Sequence, residues 1–188
     1  MRPPRYELLR RALELAAWAH DGQVRKFGPP GGRLQYVIHP VRVMLFLQDM
    51  NYRVEALAAA LLHDVLEDCS DTVTPGDIKR ELGEEVQLLV LELTNPTHTP
   101  EWAGKTREEK KAADREKIAN VSRLAKVIKL VDRLDNVREM DHAPEAFRRK
   151  YVEETRALVA LIGEAHRHVA ELIELECDRL EAGLTQPV

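Results

Sequence analysis

Residues 59–68 read AALLHDVLED, and no other stretch restricts the fold as strongly. Ala59, Ala60, Leu61, Leu62, Val65 and Leu66 call for burial, yet His63, Asp64, Glu67 and Asp68 sit among them. Buried polar groups are costly unless something satisfies them. Read as one helix from Arg53 to Asp68, the spacing i, i+1, i+4, i+5 stacks His63 over Glu67 and Asp64 over Asp68. The sequence therefore predicts a central apolar helix whose one polar stripe meets something charged.

The rest of the chain supplies partners for such a helix. Apolar residues recur at the helical period over Tyr6 to His20, His39 to Gln48, Glu84 to Leu93 and Arg123 to Met140. Thr74-Pro75-Gly76-Asp77 reads as a helix start and Leu82-Gly83 as its stop. The run from Thr106 to Asn120 is so charged that it reads as a solvated helix. Residues 144–163 and 164–184 read as two further helices or one bent helix. Strand patterns are few, and no long linker divides the chain. The expected architecture is an all-α helical bundle forming one domain over residues 1–188, with core motifs in 19–140 and C-terminal helices in 144–184. Trp18 is expected in the core, and His20 as a packing or supporting histidine.

Composition narrows the partners. The chain has 188 residues and a net charge of −4, so it lacks the broad basic field expected of a nucleic-acid binder. No apolar run reaches the ~18 residues of a membrane span. The N-terminal stretch carries Glu7 and Glu14 where a signal peptide needs an uninterrupted apolar core. The two cysteines, Cys69 and Cys177, are far apart and have no metal-type spacing, which fits a reduced, cytoplasmic setting.

Three stretches hold the residues suited to chemistry: Tyr36 to Pro40, His63-Asp64 with Glu67-Asp68, and Lys129 to Asn136. His39, His63, Asp64 and Asp132, brought together from three helices, form a mixed nitrogen and oxygen set able to enclose one divalent cation. Such a set suits Mn²⁺, Fe²⁺ or Zn²⁺, and the lack of thiolates argues against a structural zinc. A bound divalent ion polarises phosphoryl oxygens and acidifies water. Glu67 and Asp68, one turn beyond, are positioned to orient or deprotonate that water.

The ordered set His39, His63-Asp64, Asp132 resembles the HD superfamily of metal-dependent phosphohydrolases. One branch is closer. Residues 19–28, AHDGQVRKFG, resemble the AHxGQxRKxG opening of RelA/SpoT-type (p)ppGpp hydrolase domains. Tyr36 to Pro40 resembles their YxxHP, AALLHDVLED with Thr72 their AALLHDVxEDT, and KLVDRLDNVRE their KLADRLHNMRT. The resemblance spans roughly residues 10–160. It implies an HD-domain bundle that uses Mn²⁺ to remove the 3′-pyrophosphate of the guanine alarmone, a small phosphorylated nucleotide. It implies His39, His63, Asp64 and Asp132 as metal ligands and Glu67 with Asp68 as the water-activating pair. It further implies that Arg25, Lys26 and Asn136 contact the substrate. With the chain ending after this segment, the expectation is a stand-alone small hydrolase.

The chain departs from that branch in places. PPGGRLQ lengthens the loop before Tyr36; Asp135 replaces the usual His or Tyr, and Glu139 the usual Thr; Thr94-Asn95-Pro96 stands where Thr-Lys is usual. Added acidic groups facing the pocket would disfavour a polyanion. Two further readings follow: the same metal site acting on another phosphorylated nucleotide, or a non-catalytic nucleotide sensor.

Overall fold

The computed structural model describes residues 4–27, 34–98 and 100–184. Its order is α1 (Arg5–Ala19), α2 (Ile38–Asp49), α3 (Val54–Leu61), α4 (Val65–Asp68), α5 (Pro75–Leu82), α6 (Glu84–Leu93), α7 (Arg107–Asn120), α8 (Arg123–Arg138), α9 (Glu145–Ile162) and α10 (Arg167–Leu184). Short 3-10 turns cover Pro96–His98, Pro100–Trp102, Met140–His142 and Gly163–Ala165. Among the described residues the only extended pairing is an isolated antiparallel bridge between Val24 and Gln35. None of these helices is long and apolar enough to cross a membrane.

The central element is α3. Every residue from Glu55 to Leu61 is buried, and Ala56 to Ala60 have no exposed surface. A helix apolar on all sides has to be wrapped by others. Here α1, α2 and α6 pack against it, and its alanines let them approach closely. The second axis is α8, whose buried face runs through Val127, Ile128, Leu130, Val131, Leu134 and Val137. It packs on α2 on one side and on α9 and α10 on the other. The two axes meet where α2 lies against both.

Local chemistry sets the helix ends. Thr74 and Asp77 form a reciprocal capping box, with Pro75 in the first turn. Gly83 ends α5 at φ 93°, a conformation that a side chain would strain. Thr106 and Glu109 cap α7 in the same way, and Ser122 caps α8. As its composition predicted, α7 buries only Ile118 fully.

Two expectations are overturned. The helix expected over 53–68 is broken: α3 ends at Leu61, a turn holds Leu62, His63 and Asp64, and α4 begins at Val65. The continuous i, i+4 stripe is thus replaced by a bend that carries the His-Asp pair. Trp18 is not in the core but 60% exposed. The buried face of α1 is Leu8, Ala12, Ala16 and Ala19, and position 18 falls outside that stripe. The two C-terminal helices are separate, joined by the Gly163–Ala165 turn. Most of the lengthened loop, residues 28–33, lies outside the described residues.

Candidate metal centre

The bend between α3 and α4 has a specific cause. The Ala60 carbonyl, which an unbroken helix would offer to the Asp64 amide, lies 2.8 Å from His63 Nδ1. A carbonyl only accepts, so Nδ1 carries a proton and Nε2 is the ring atom left to face Asp64 and Asp132. That Nε2 is buried and makes no hydrogen bond in the structure. Asp64 Oδ2 is 3.0 Å from it, but off the line a ring N–H would need. A buried nitrogen left without a partner calls for an explanation such as a bound ion, and the carboxylates of Asp64 and Asp132 beside it suit a cation.

His39 enters from the first turn of α2 and is completely buried. Its Nδ1 donates to Asp135 Oδ2 at 2.7 Å, and its Nε2 lies 3.1 Å from Asp132 Oδ1 and 3.9 Å from Asp64 Oδ2. Asp132 Oδ1 is also 3.5 Å from His63 Nε2. Ligand atoms of His39, His63 and Asp64 all lie within 4.8 Å of one another. Asp132 falls outside that tightest group but touches both imidazoles. Its oxygens are shared with Asn136 Nδ2 at 2.6 Å and with Lys129 Nζ at 2.9 Å. The four residues expected from three helices are thus brought together. They fit a divalent ion: two imidazoles anchored through Nδ1, which leaves Nε2 as the ligating atom, and two carboxylates.

The electrostatics agree. Burial would push the Asp64 carboxyl up, but His63 outweighs it and holds it well below the usual carboxylate range. Burial opposes ionisation of Asp132 as well, and Lys129 with the two histidines overrides it. Burial pulls His63 down, yet Asp64 and Asp132 hold it well above the ordinary imidazole value. Lys129 is half-buried, and although desolvation works against its charge, Asp132, Asp64 and Glu67 raise its pKa.

Around this centre the remaining expected residues fall in distinct places. Gly22, at φ 74°, turns the chain after α1 so that Arg25 pairs with Leu34 and Tyr36 with Gln23. This carries Arg25 to α8, where its Nε meets Glu139 Oε2 at 2.7 Å and its Nη2 donates to Asn136 Oδ1 at 2.6 Å. The guanidinium also lies over the Tyr36 ring, and Tyr36 donates its hydroxyl proton to Asp64 Oδ2 at 2.6 Å. Lys26 is on the rim, its Nζ over the rings of Phe27 and Phe147. Glu67 and Asp68 occupy α4 directly after Asp64; Asn95 grips Glu67 through its backbone N–H and its side-chain amide. His20 is buried as expected, its Nδ1 2.9 Å from Gln23 Oε1 and its ring 4.5 Å from that of Tyr36. Beyond Lys129 and Asn95 opens a cleft of about 500 Å³ between α7, α8 and α9, whose cations include Lys111, Arg115, Arg133 and Lys150.

The acidic departures have local partners. Asp135 accepts from Arg42 at 3.0 Å, and Glu139 takes both Arg25 and Arg42. Sequence reasoning did not single out Arg42, although its i+3 spacing from His39 places the two on one side of α2. Nor did it give Tyr36, Lys129 or Asn95 an individual role; each became visible only when the elements were assembled.

A model of the HD domain matches residues 12–168. This chain belongs to the HD-domain family. Its curated relatives include a Vibrio cholerae protein named guanosine-3′,5′-bis(diphosphate) 3′-pyrophosphohydrolase, 34% identical over 94% of this chain. One of the same name from Aquifex aeolicus is 37% identical over 88% of this chain. The HD-domain chain spans only 24% and 22% of those two proteins. A solved structure, described as a metazoan ortholog of SpoT that hydrolyzes ppGpp, matches at nearly full length. It covers 98% of this chain and 99% of its own, with a TM-score of 0.71 and 28% identity.

Proposed function

We propose that this HD-domain chain is a Mn²⁺-dependent phosphohydrolase that removes the 3′-pyrophosphate of ppGpp and pppGpp, leaving GDP or GTP. The observation that carries the reading is the pair of buried imidazoles, His39 and His63, each held through Nδ1 and turned with its Nε2 toward Asp64 and Asp132. It is supported by the end-to-end likeness to a structure described as a ppGpp hydrolase. His39, His63, Asp64 and Asp132 would hold the ion, which supplies Lewis acidity for a phosphoryl oxygen and for water.

The chain's own groups do the rest. Tyr36 fixes the Asp64 carboxylate, and Lys129 with Asn136 fixes Asp132. Glu67, held by Asn95, takes the proton from the attacking water, with Asp68 beside it. Water adds to the phosphorus on the ribose 3′-oxygen, the bond to that oxygen breaks, and the proton that Glu67 took passes to the leaving oxygen. Arg25, Lys26 and Asn136 hold the nucleotide, and the cleft beyond Lys129, where Arg115, Arg133 and Lys150 stand among Glu108, Asp114, Glu153 and Glu154, gives room for a phosphate chain. The same reading puts the protein in the cytoplasm, in keeping with two free, buried cysteines.

One observation favours a second reading. Glu139 occupies Arg25, so one cation fewer is free to meet the substrate than the motif alone suggests. A nucleotide with fewer phosphates would suit such a pocket. The deciding assay is pyrophosphate release from ppGpp with Mn²⁺, alongside a panel of other nucleotides and an Asp64→Ala control. Turnover of ppGpp that needs both Mn²⁺ and Asp64 is expected. Metal binding without ppGpp turnover would move the assignment to another nucleotide.

A further inference from the structure

We infer that Asp135 is a positioning residue for His39, making that imidazole the stronger of the two histidine ligands; this rests on the metal reading above. Asp132, Asp135 and Asn136 on α8 and Glu139 at its C-cap form one stripe at i, i+3, i+4 and i+7. Asp135 is the member that reaches His39, its Oδ2 accepting from Nδ1 at 2.7 Å, on a ring with no exposure. This fixes the tautomer and aims Nε2 at Asp132 and Asp64. An anionic acceptor behind an imidazole also raises its donor strength toward a metal. The corresponding partner of His63 is a neutral backbone carbonyl, so the two ligands are unequal. On the far side, Arg42 clasps Asp135 at 2.9 and 3.0 Å and fixes its orientation. The acidic departure at position 135 thus serves the metal and not the pocket wall.

The test measures Mn²⁺ affinity of the purified chain by calorimetry for wild type, Asp135→Asn and Arg42→Ala. Melting temperatures of the metal-free proteins serve as the folding control. Asparagine keeps the shape and an acceptor oxygen but removes the charge. The expected result is a loss of about 10- to 100-fold for Asp135→Asn. Arg42→Ala, which spares the His39–Asp135 contact, stays within about 3-fold of wild type, well short of that loss. In metal-free wild type and Arg42→Ala, proton NMR shows the strongly downfield His39 Nδ1–H resonance of an imidazole–carboxylate pair; Asp135→Asn lacks it. Unchanged affinity in Asp135→Asn, or an equal loss in both variants, overturns the inference and leaves the metal site standing. A folded wild-type chain that binds no Mn²⁺ overturns both the metal reading and this inference.

Discussion

Glu139→Gln should move stability and substrate affinity in opposite directions. The Arg25–Glu139 pair is 2.7 Å long, and its side chains are only 9% and 11% exposed. Removing one partner of a buried pair typically costs about 3–5 kcal/mol, because the other charge stays buried and unpaired. Arg25 would still have Asn136 at 2.6 Å and the Tyr36 ring, and Arg42 would still have Asp135. The expected loss is therefore smaller, about 2–3 kcal/mol. In a chain of this size that lowers the melting temperature by roughly 4–12 °C. The freed guanidinium then faces the nucleotide with its full charge. A phosphate roughly 8 Å from position 139 gains about 1–2 kcal/mol when the like charge there is removed, taking an effective dielectric of about 20–40. That corresponds to a KM lower by roughly 5- to 30-fold. Thermal melting and steady-state kinetics on ppGpp at fixed salt read both arms. A variant with wild-type melting and wild-type KM would refute the idea that Glu139 neutralises Arg25.

Two further outcomes follow from the same geometry. Glu67→Gln should keep the Mn²⁺-induced rise in melting temperature while losing about 10²- to 10⁴-fold in turnover, the usual worth of a positioned proton acceptor; full activity in this variant would remove Glu67 from that role. In the metal-free protein, the raised His63 pKa contributes stability that is fully present below about 6.5 and is lost as pH rises through the folded-state value. The depressed Asp64 and Asp132 values act at the other end, contributing above about 4 and failing as the pH falls. Metal-free melting should therefore decline from near-neutral pH upward, and a flat profile between pH 6.5 and 9 would contradict the charge coupling.

Much of the bundle was legible because capping residues and apolar period are local signals. Thr74-Pro75 and Leu82-Gly83 marked α5 to the residue, and the apolar stripe of α8 marked its buried face. The candidate metal-binding residues were picked out by their ordered motifs, and the structure brings their side chains together. The break at Leu62 to Asp64 was not, because Ala, Leu, His, Asp and Val in that order carry no Gly or Pro to announce it. What breaks the helix is the diversion of the Ala60 carbonyl to the His63 ring, a gain that matters only once a site exists to be served. Trp18 was misplaced because its size was weighed above its position on α1. The pairing of Arg42 with Asp135 and Glu139 depends on α2 lying against α8, which no local pattern states.

The alanines of α3 have a consequence for descent. Ala56, Ala58, Ala59 and Ala60 have no free surface, and the last of them holds His63 by its carbonyl. Any enlargement there moves α3 as a body and carries a ligand with it. Substitutions that redirect the proposed activity to a new nucleotide therefore have to accumulate elsewhere, on the outer end of α8 and around Arg25 and Lys26. In a lineage built on this scaffold, the chemistry is inherited with the interior, while substrate preference drifts at the rim.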